Sequence, residues 1–365
     1  MARTAFWHPE LASDSFQETG PSGARSGMQI NAQGRIIGVA RIPMGEHALR
    51  YLIGLFSFLA MAVACAQDYP SKPIRILVAY TPGGGSDLLA RMVAKKLGEA
   101  FGQQVIVENR PGAGGNIGTD AMAKAAPDGY TLGLVPSTHA IVPNLYPRLP
   151  FDTIRDFTFI TLVATGPNIL VCHPSVPAKS VKELVALAQR RPSELTFASA
   201  GVGSSTHLAG EYFKSVARID TVHIPYKGSS QAQIDLVGGQ VSYMVDSIPS
   251  ALPKVQGGRI RALATTGKTR FSALPNVPTV IESGLPYESF SWWGVVGPAG
   301  IPQPIVAKLL AEITRFMGLP DVKQFVAAQG ADATAGTPQQ FLDYVKQETA
   351  LYAKIIKTAN IRIEQ

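Results

Sequence analysis

The chain has 365 residues, of which 46% are hydrophobic and 16% charged, with 35 Gly, 27 Pro and 2 Cys. At roughly 100–200 residues per domain this length fits two domains, and the apolar content excludes a disordered chain. Two cysteines exclude a disulfide scaffold. The 33 basic and 26 acidic residues give a net charge of +7. The basic residues are scattered without interleaved aromatic side chains, so no nucleic-acid partner is expected.

The first 66 residues have the pattern of a leader that precedes the folded protein. Residues 1–43 are polar and aperiodic, and we predict that they are an over-long start or a disordered segment. Residues 44–66 predict a secretory signal peptide, with a positive flank, an apolar run over 51–64 and an Ala-Cys-Ala cleavage site ending at Ala66. Such a leader indicates export to the periplasm. A lipid anchor at Cys65 and a single anchoring helix are the alternatives.

Strand-like and helix-like segments alternate along the rest of the chain, which predicts an α/β fold with largely parallel sheets. The apolar run Ile74–Tyr80 is typical of a strand that is covered on both faces. Two capping boxes, Ser180–Glu183 and Thr337–Gln340, predict helix starts. Two amphipathic helices are expected after Trp293.

Three strand-to-helix turns are built from small residues and lead into helix N-termini. They are Pro82–Asp87, Ser137–His139 and Gly201–His207. Open α/β sheets bind ligands at this edge, and the unpaired amides of a helix N-terminus attract anions. Glycine lets an anion approach the backbone without a Cβ in the way. We therefore predict an anion site at these turns, while a tight connection without a binding role is the alternative for each one.

Motifs for catalysis, metals and nucleotides are weak or absent in the sequence. The glycines of 112–118 have G-x-G-x-x-x-G spacing, which departs from the dinucleotide fingerprint, and no phosphate-loop motif occurs. Histidine and cysteine spacings give no metal site, so neither a metal nor a cofactor is expected. Ser204 and His207 with an unspecified Asp leave an exported α/β hydrolase as the alternative function, although capping is the simpler role. Ser86 and Asp87 are likewise interpreted as helix caps, with Asp87 facing a ligand amino group as the alternative.

Motifs spread over nearly all of residues 69–365 together resemble the Bug family, the periplasmic solute receptors of tripartite tricarboxylate transporters. They are Tyr69–Val78, Pro82–Asp87, Glu108–Asn116, Pro127–Leu132, Ala198–Ser204, His207–Glu211, Pro225–Gly228, Pro275–Thr279 and Trp293–Pro302. The resemblance implies a two-lobed α/β fold of the type II periplasmic binding proteins (a venus flytrap), each lobe a mostly parallel sheet flanked by helices. It places domain I at 67–169 plus 291–365, and domain II at 170–290.

The resemblance also implies a function and a set of site residues. Such a receptor binds a small organic acid, a carboxylate, between its lobes without catalysis and delivers it to integral-membrane transporter subunits. Signalling through a sensor kinase is the alternative use of the same binding, and a monomer is expected. The implied ligand-binding residues are Thr81, Gly83, Gly84, Gly85, Ser86, Asp87, Ser137, Thr138, His139, Ala200, Gly201, Gly203, Ser204, Ser205, Tyr226 and Asp246.

Overall fold

The computed structural model describes residues 28–30, 36–38 and 69–362. The predictions for 1–43, for the signal peptide and for Cys65 therefore lie outside the described residues. The exception is a pair of antiparallel strands, Met28–Ile30 (β1) and Ile36–Gly38 (β2). Among the helices of the described residues, none combines the length and the apolar character needed to cross a membrane.

The sheet within 69–362 contains two groups of three parallel strands. Its strands are Ile74–Val78 (β3), Val105–Asn109 (β4), Thr131–Pro136 (β5), Phe157–Cys172 (β6), Thr196–Ser199 (β7), Val222–Pro225 (β8), Tyr243–Ser247 (β9), Arg261–Thr265 (β10), Phe290–Pro298 (β11) and Asp332–Ala333 (β12). Strand β3 lies between β4 and β5, and β7 lies between β8 and β9, all parallel to their neighbours. We call the elements packed on β3–β5 the first lobe and those packed on β7–β9 the second lobe.

Two long strands, β6 and β11, join the lobes. They pair antiparallel with each other, from Phe290 opposite Pro167 to Pro298 opposite Phe157. Strand β11 also pairs with β5, and the last part of β6 pairs with β9, both antiparallel. The predicted two-lobed α/β fold is therefore observed with a parallel group in each lobe. The whole sheet is mixed, because the strands that carry the chain between the lobes are not part of helix-connected parallel units.

Helices cover both lobes. They are Gly85–Phe101 (α1), Asn116–Ala123 (α2), Thr138–Leu145 (α3), Val181–Arg190 (α4), Ser205–Ala217 (α5), Ser229–Val237 (α6), Ile248–Gln256 (α7), Gln303–Met317 (α8), Pro320–Ala328 (α9) and Pro338–Thr358 (α10). The capping box at Thr337 is confirmed, since Thr337 and Gln340 each bond the other's backbone amide. At Ser180 the box is partial, because the Glu183 carboxylate accepts from the Lys179 amide. Three helices follow β11 where two were predicted, α9 being the additional one.

Buried apolar side chains form three clusters. The largest draws on 69–164 and 292–361, with Ala200 and Leu208 added from the second lobe. The other two use alternate residues of the same second-lobe strands, such as Phe197 in one and Ala198 in the other. Each face of the second-lobe sheet therefore has its own core, as expected for a sheet with helices on both sides.

Candidate functional site

A cleft with a free volume of about 40 Å³ lies where the two lobes meet. It is lined by Tyr80, Gly84, Gly85, Ser86, Asp87, Pro136, Ala200, Ser205, Thr206, Ser229, Asp246, Ser247, Ser291 and Trp293. The first residues or N-caps of four helices, α1, α5, α6 and α7, are among these. Each helix N-terminus carries about half a positive charge and unpaired amides, so the cleft is suited to an anion.

The glycine turn before α1 presents backbone amides to the cleft. Gly83 has a φ of +84°, which favours glycine. Gly84 is the N-cap, with φ −84° and ψ 171°, and no side chain caps the helix start. The first-turn amides of Gly85 and Ser86 are therefore open to a ligand. Ser86 Oγ accepts a hydrogen bond from the indole of Trp293 at 3.1 Å, which leaves the serine hydroxyl hydrogen available.

Asp87 fixes this turn in place. Its carboxylate accepts bonds from the Gly83 amide at 2.9 Å, from Arg91 at 2.9 and 3.0 Å and from Asn109 at 3.0 Å. Burial works against the charged form, but these bonds together hold the Asp87 pKa below its ordinary value. Since both oxygens are used, the carboxylate has a structural role, and the alternative that it meets a ligand amino group loses support.

The second-lobe turn before α5 uses most of its amides internally. The Gly201 amide bonds Ser199 Oγ at 3.1 Å, the Gly203 amide bonds His207 Nδ1 at 3.2 Å, and the Ser204 amide bonds the Gly201 carbonyl at 3.0 Å. These three residues are not among those that line the cleft, and their predicted role in ligand binding stays a prediction. The turn is a rigid support for α5, whose first two residues do line the cleft.

Direct contacts hold the lobes together in this closed arrangement. The Ser205 amide donates to Thr138 Oγ1 at 3.0 Å, and the hydroxyls of Thr81 and Ser230 lie 2.8 Å apart. The backbones approach so closely that a Cβ at Gly114 would collide with the carbonyl oxygen of Val202. Thr81 and Thr138 therefore bridge the two lobes and do not line the cleft.

Seven of the sixteen predicted residues line the cleft and nine do not. Those at the cleft are Gly84, Gly85, Ser86, Asp87, Ala200, Ser205 and Asp246. Those elsewhere are Thr81, Gly83, Ser137, Thr138, His139, Gly201, Gly203, Ser204 and Tyr226. That the cleft residues bind a ligand stays a prediction.

Two of these nine residues have clear hydrogen-bond partners, and a third is fully buried. The His139 ring lies in the first-lobe core, where Nε2 is 2.7 Å from the Thr153 carbonyl and the ring packs edge-on against Phe157. The Tyr226 hydroxyl donates to Asp235 at 2.7 Å. Ser137 is fully buried, because α3 begins directly after it and turns its side chain inward.

Sequence reasoning missed six lining residues, and it left Trp293 open between a pocket wall and a core or hinge role. The six are Tyr80, Pro136, Thr206, Ser229, Ser247 and Ser291. Ser229 and Ser247 begin or cap short helices that follow β8 and β9. Their position in the sequence could have identified them, because these turns follow parallel strands, as the glycine-rich turn after β3 does.

The lining residues include no lysine or arginine and two aspartates, Asp87 and Asp246. Asp246 is fully buried and accepts bonds from Ser229 Oγ at 3.0 Å, the Ser247 amide at 2.8 Å and Gln233 at 2.6 Å. Burial raises its pKa above the ordinary value despite these bonds. Attraction for an anion must therefore come from backbone amides, hydroxyls and helix ends. Within residues 69–362, no group of His, Cys, Asp and Glu is arranged to hold a metal ion.

The predicted alternative nucleophile, Ser204, is a helix cap. Its Oγ accepts from the His207 backbone amide at 3.2 Å. His207 Nδ1 accepts from the Gly203 amide, so its other ring nitrogen carries the proton, and the ring stacks on His223 with centroids 4.2 Å apart. In the described part of the chain, no carboxylate bonds the His207 ring. The serine and histidine side chains are thus not assembled into a nucleophile and base.

A two-lobed α/β fold that closes on an anion-suited cleft defines a solute-binding protein of the periplasmic type. Residues 89–361 match the family described as tripartite tricarboxylate transporter family receptor. The chain belongs to this receptor family, and the resemblance to Bug proteins predicted from its motifs is confirmed.

A relative and two solved structures support the same assignment. Protein BugT of Bordetella pertussis is 36% identical over 326 residues, which are 88% of this chain and 100% of BugT. The structure of R. palustris Rpa4515 with adipate has a TM-score of 0.79 at 36% identity and covers 81% of this chain and 99% of that chain. MatC (Rpa3494) from Rhodopseudomonas palustris with bound malate has a TM-score of 0.76 at 30% identity, covering 79% and 100%.

Proposed function

We propose that this receptor captures a small organic acid in the cleft between its lobes and delivers it to the membrane subunits of a tripartite transporter. One observation carries the proposal: four helix N-termini converge on a closed cleft whose lining residues include no lysine or arginine. A charge-assisted hydrogen bond contributes about 1.5–3 kcal/mol. Three or four such bonds supply much of the roughly 8 kcal/mol that micromolar affinity requires.

The proposal includes location, domain division and partners. We place the protein in the periplasm after removal of residues 44–66. Domain I comprises 67–169 plus 291–365 and domain II comprises 170–290, a division supported by the separate cores of the two lobes. The protein is a monomer that closes by a hinge motion around its ligand, through the crossing strands β6 and β11. Its partners are transporter subunits. The alternative is that the ligand-bound receptor signals through a sensor kinase.

A thermal-shift screen tests the binding function. The purified protein is unfolded and refolded to strip carried-over ligand, then screened against mono-, di- and tricarboxylates, aromatic acids, amino acids and a nucleotide. A ligand at 100 times its Kd is expected to stabilise the fold by about 2.7 kcal/mol, which raises the Tm by several degrees. A response to carboxylates alone supports the proposal. No response to any acid in a correctly refolded sample contradicts it.

Ser204→Ala separates a receptor from a hydrolase. We expect the variant to keep full carboxylate affinity and to lose about 1 kcal/mol of stability, because the lost group is a helix cap. The checks are the Kd of the best acid, the Tm, and turnover of ester and amide substrates by both proteins. Ester turnover by the natural protein that disappears in Ser204→Ala would establish the hydrolase.

A further inference from the structure

A second, larger cavity adjoins the cleft at the hinge side. It has a free volume of about 310 Å³, against about 40 Å³ for the cleft. We call it the apolar chamber, since its walls are formed largely by Ile141, Leu208, Tyr212, Phe290, Leu351 and Ile355. Both lobes contribute, the first through α3 and α10 and the second through α5.

The chamber and the cleft share one lining residue, and a hydrogen bond joins two others. Ser205 lines both of them. Asn168 lines the chamber and accepts a bond at 2.6 Å from the hydroxyl of Ser291, which lines the cleft. The Ser205 amide also donates to Thr138 across the lobes, so this contact has to open for one ligand to occupy both spaces.

The volumes assign a different part of a ligand to each space. In this measure a water molecule needs at least about 10–15 Å³, so the cleft has room for about three or four waters. That is the size of a carboxylate with its neighbouring carbon. In this closed arrangement the cleft has no room for the body of a longer acid. The adjoining space lined by apolar side chains is the chamber.

The charges of the chamber determine what that body can carry. Glu288 and Glu348 line it, and its lining residues include no lysine or arginine. Glu348 is half-buried on α10, beside Tyr352. A second carboxylate there would face two glutamates in an apolar environment, which is a costly arrangement. The far end of the ligand is thus uncharged or a hydrogen-bond donor.

We propose that the cargo is a monocarboxylic acid with an apolar body of about five or more carbons, bound with its carboxylate in the cleft and its body in the apolar chamber. This rests on the proposed receptor function and narrows its substrate class. It also sets this chain apart from the relative whose structure contains adipate, a dicarboxylate.

Calorimetry on the purified full chain with acetate, hexanoate, 3-phenylpropionate and adipate tests the proposal. Burying one methylene is worth about a fourfold gain in affinity. We therefore expect hexanoate and 3-phenylpropionate to bind more than tenfold tighter than acetate, and adipate to bind at least tenfold more weakly than hexanoate. Hexanoate no tighter than acetate overturns the chamber assignment. If no acid binds, acetate included, the receptor function itself fails and the chamber assignment falls with it.

Three variants locate the effect. Leu351 is 48% exposed on the chamber wall, so Leu351→Asp is expected to weaken hexanoate binding at least tenfold while acetate binding stays within twofold. The matched control is Ile234→Asp, because Ile234 is 70% exposed and lies outside both cavities. This variant should alter neither hexanoate binding nor acetate binding. Glu348→Gln is expected to reduce the difference in affinity between hexanoate and adipate. Equal effects of Leu351→Asp and Ile234→Asp on hexanoate, or an unchanged difference in Glu348→Gln, contradict the proposed placement.

Discussion

Gly84→Val is expected to weaken carboxylate binding by more than 100-fold and to leave the fold intact. The cleft presents the first-turn amides of α1 to the ligand, and a valine side chain at the N-cap covers them. Losing two charge-assisted hydrogen bonds of about 1.5–3 kcal/mol each accounts for a loss of this size. The fold survives because φ −84° and ψ 171° suit a β-branched residue, and a Cβ there lies 3.9 Å from the nearest atom, the Thr81 carbonyl oxygen.

Calorimetry with the best acid from the screen gives the Kd, and thermal unfolding gives the Tm. Gly238→Val is the matched control: Gly238 has φ −77° at the end of α6, does not line the cleft, and would place its Cβ 3.4 Å from the Ile234 carbonyl oxygen. The control is expected to bind normally. If Gly84→Val binds within threefold of the natural protein, the anion does not sit at the α1 N-terminus, and the second-lobe helix ends become the stronger candidates.

The lobes were predictable where the chain follows simple local rules. Apolar runs bounded by glycine turns located β3 and its neighbours, and hydroxyl-containing caps located α4 and α10. The crossing strands were not predictable in this way. The dipeptide Gly166-Pro167 is of a kind typical of turns, yet β6 continues through it, because Pro167 pairs with Phe290 at the start of β11 and its missing amide is tolerated there.

The site was predictable at its first turn and less so elsewhere. The segment Gly83–Asp87 can be recognised from its sequence alone. Its turn needs a glycine at the positive φ of position 83 and the Asp87 carboxylate that accepts from the Gly83 amide. The turn before α5 looks similar in sequence, yet its amides bond Ser199 and His207, which only the folded chain brings into reach. His139 looked like a cleft residue because it follows β5 by a short turn. In fact α3 begins at Thr138, so the side chains of 138 and 139 point in different directions.

Acidification from pH 7 to pH 4 is expected to destabilise the fold through its buried histidines. Burial lowers the pKa of His139 to about 4, that of His207 to about 4 and that of His223, next to His207, to about 3. The unfolded chain binds these protons near pH 6.5 and the folded chain does not. Stability is therefore complete above pH 6.5 and is lost as the pH falls towards the folded pKa values. At 1.36 kcal/mol per pKa unit, His139 alone accounts for about 3 kcal/mol.

His139→Gln isolates one of these contributions. Glutamine keeps a donor for the Thr153 carbonyl, which His139 Nε2 bonds at 2.7 Å, and it does not titrate. Asp246 shifts stability in the opposite direction, because its raised pKa lets the folded state hold a proton more readily, but it acts equally in both proteins. Denaturant unfolding at pH 7 and pH 4 should therefore show a smaller acid loss in the variant, by about 3 kcal/mol. Equal losses in the two proteins would mean that His139 is protonated without unfolding, and that the first-lobe core opens to water around it.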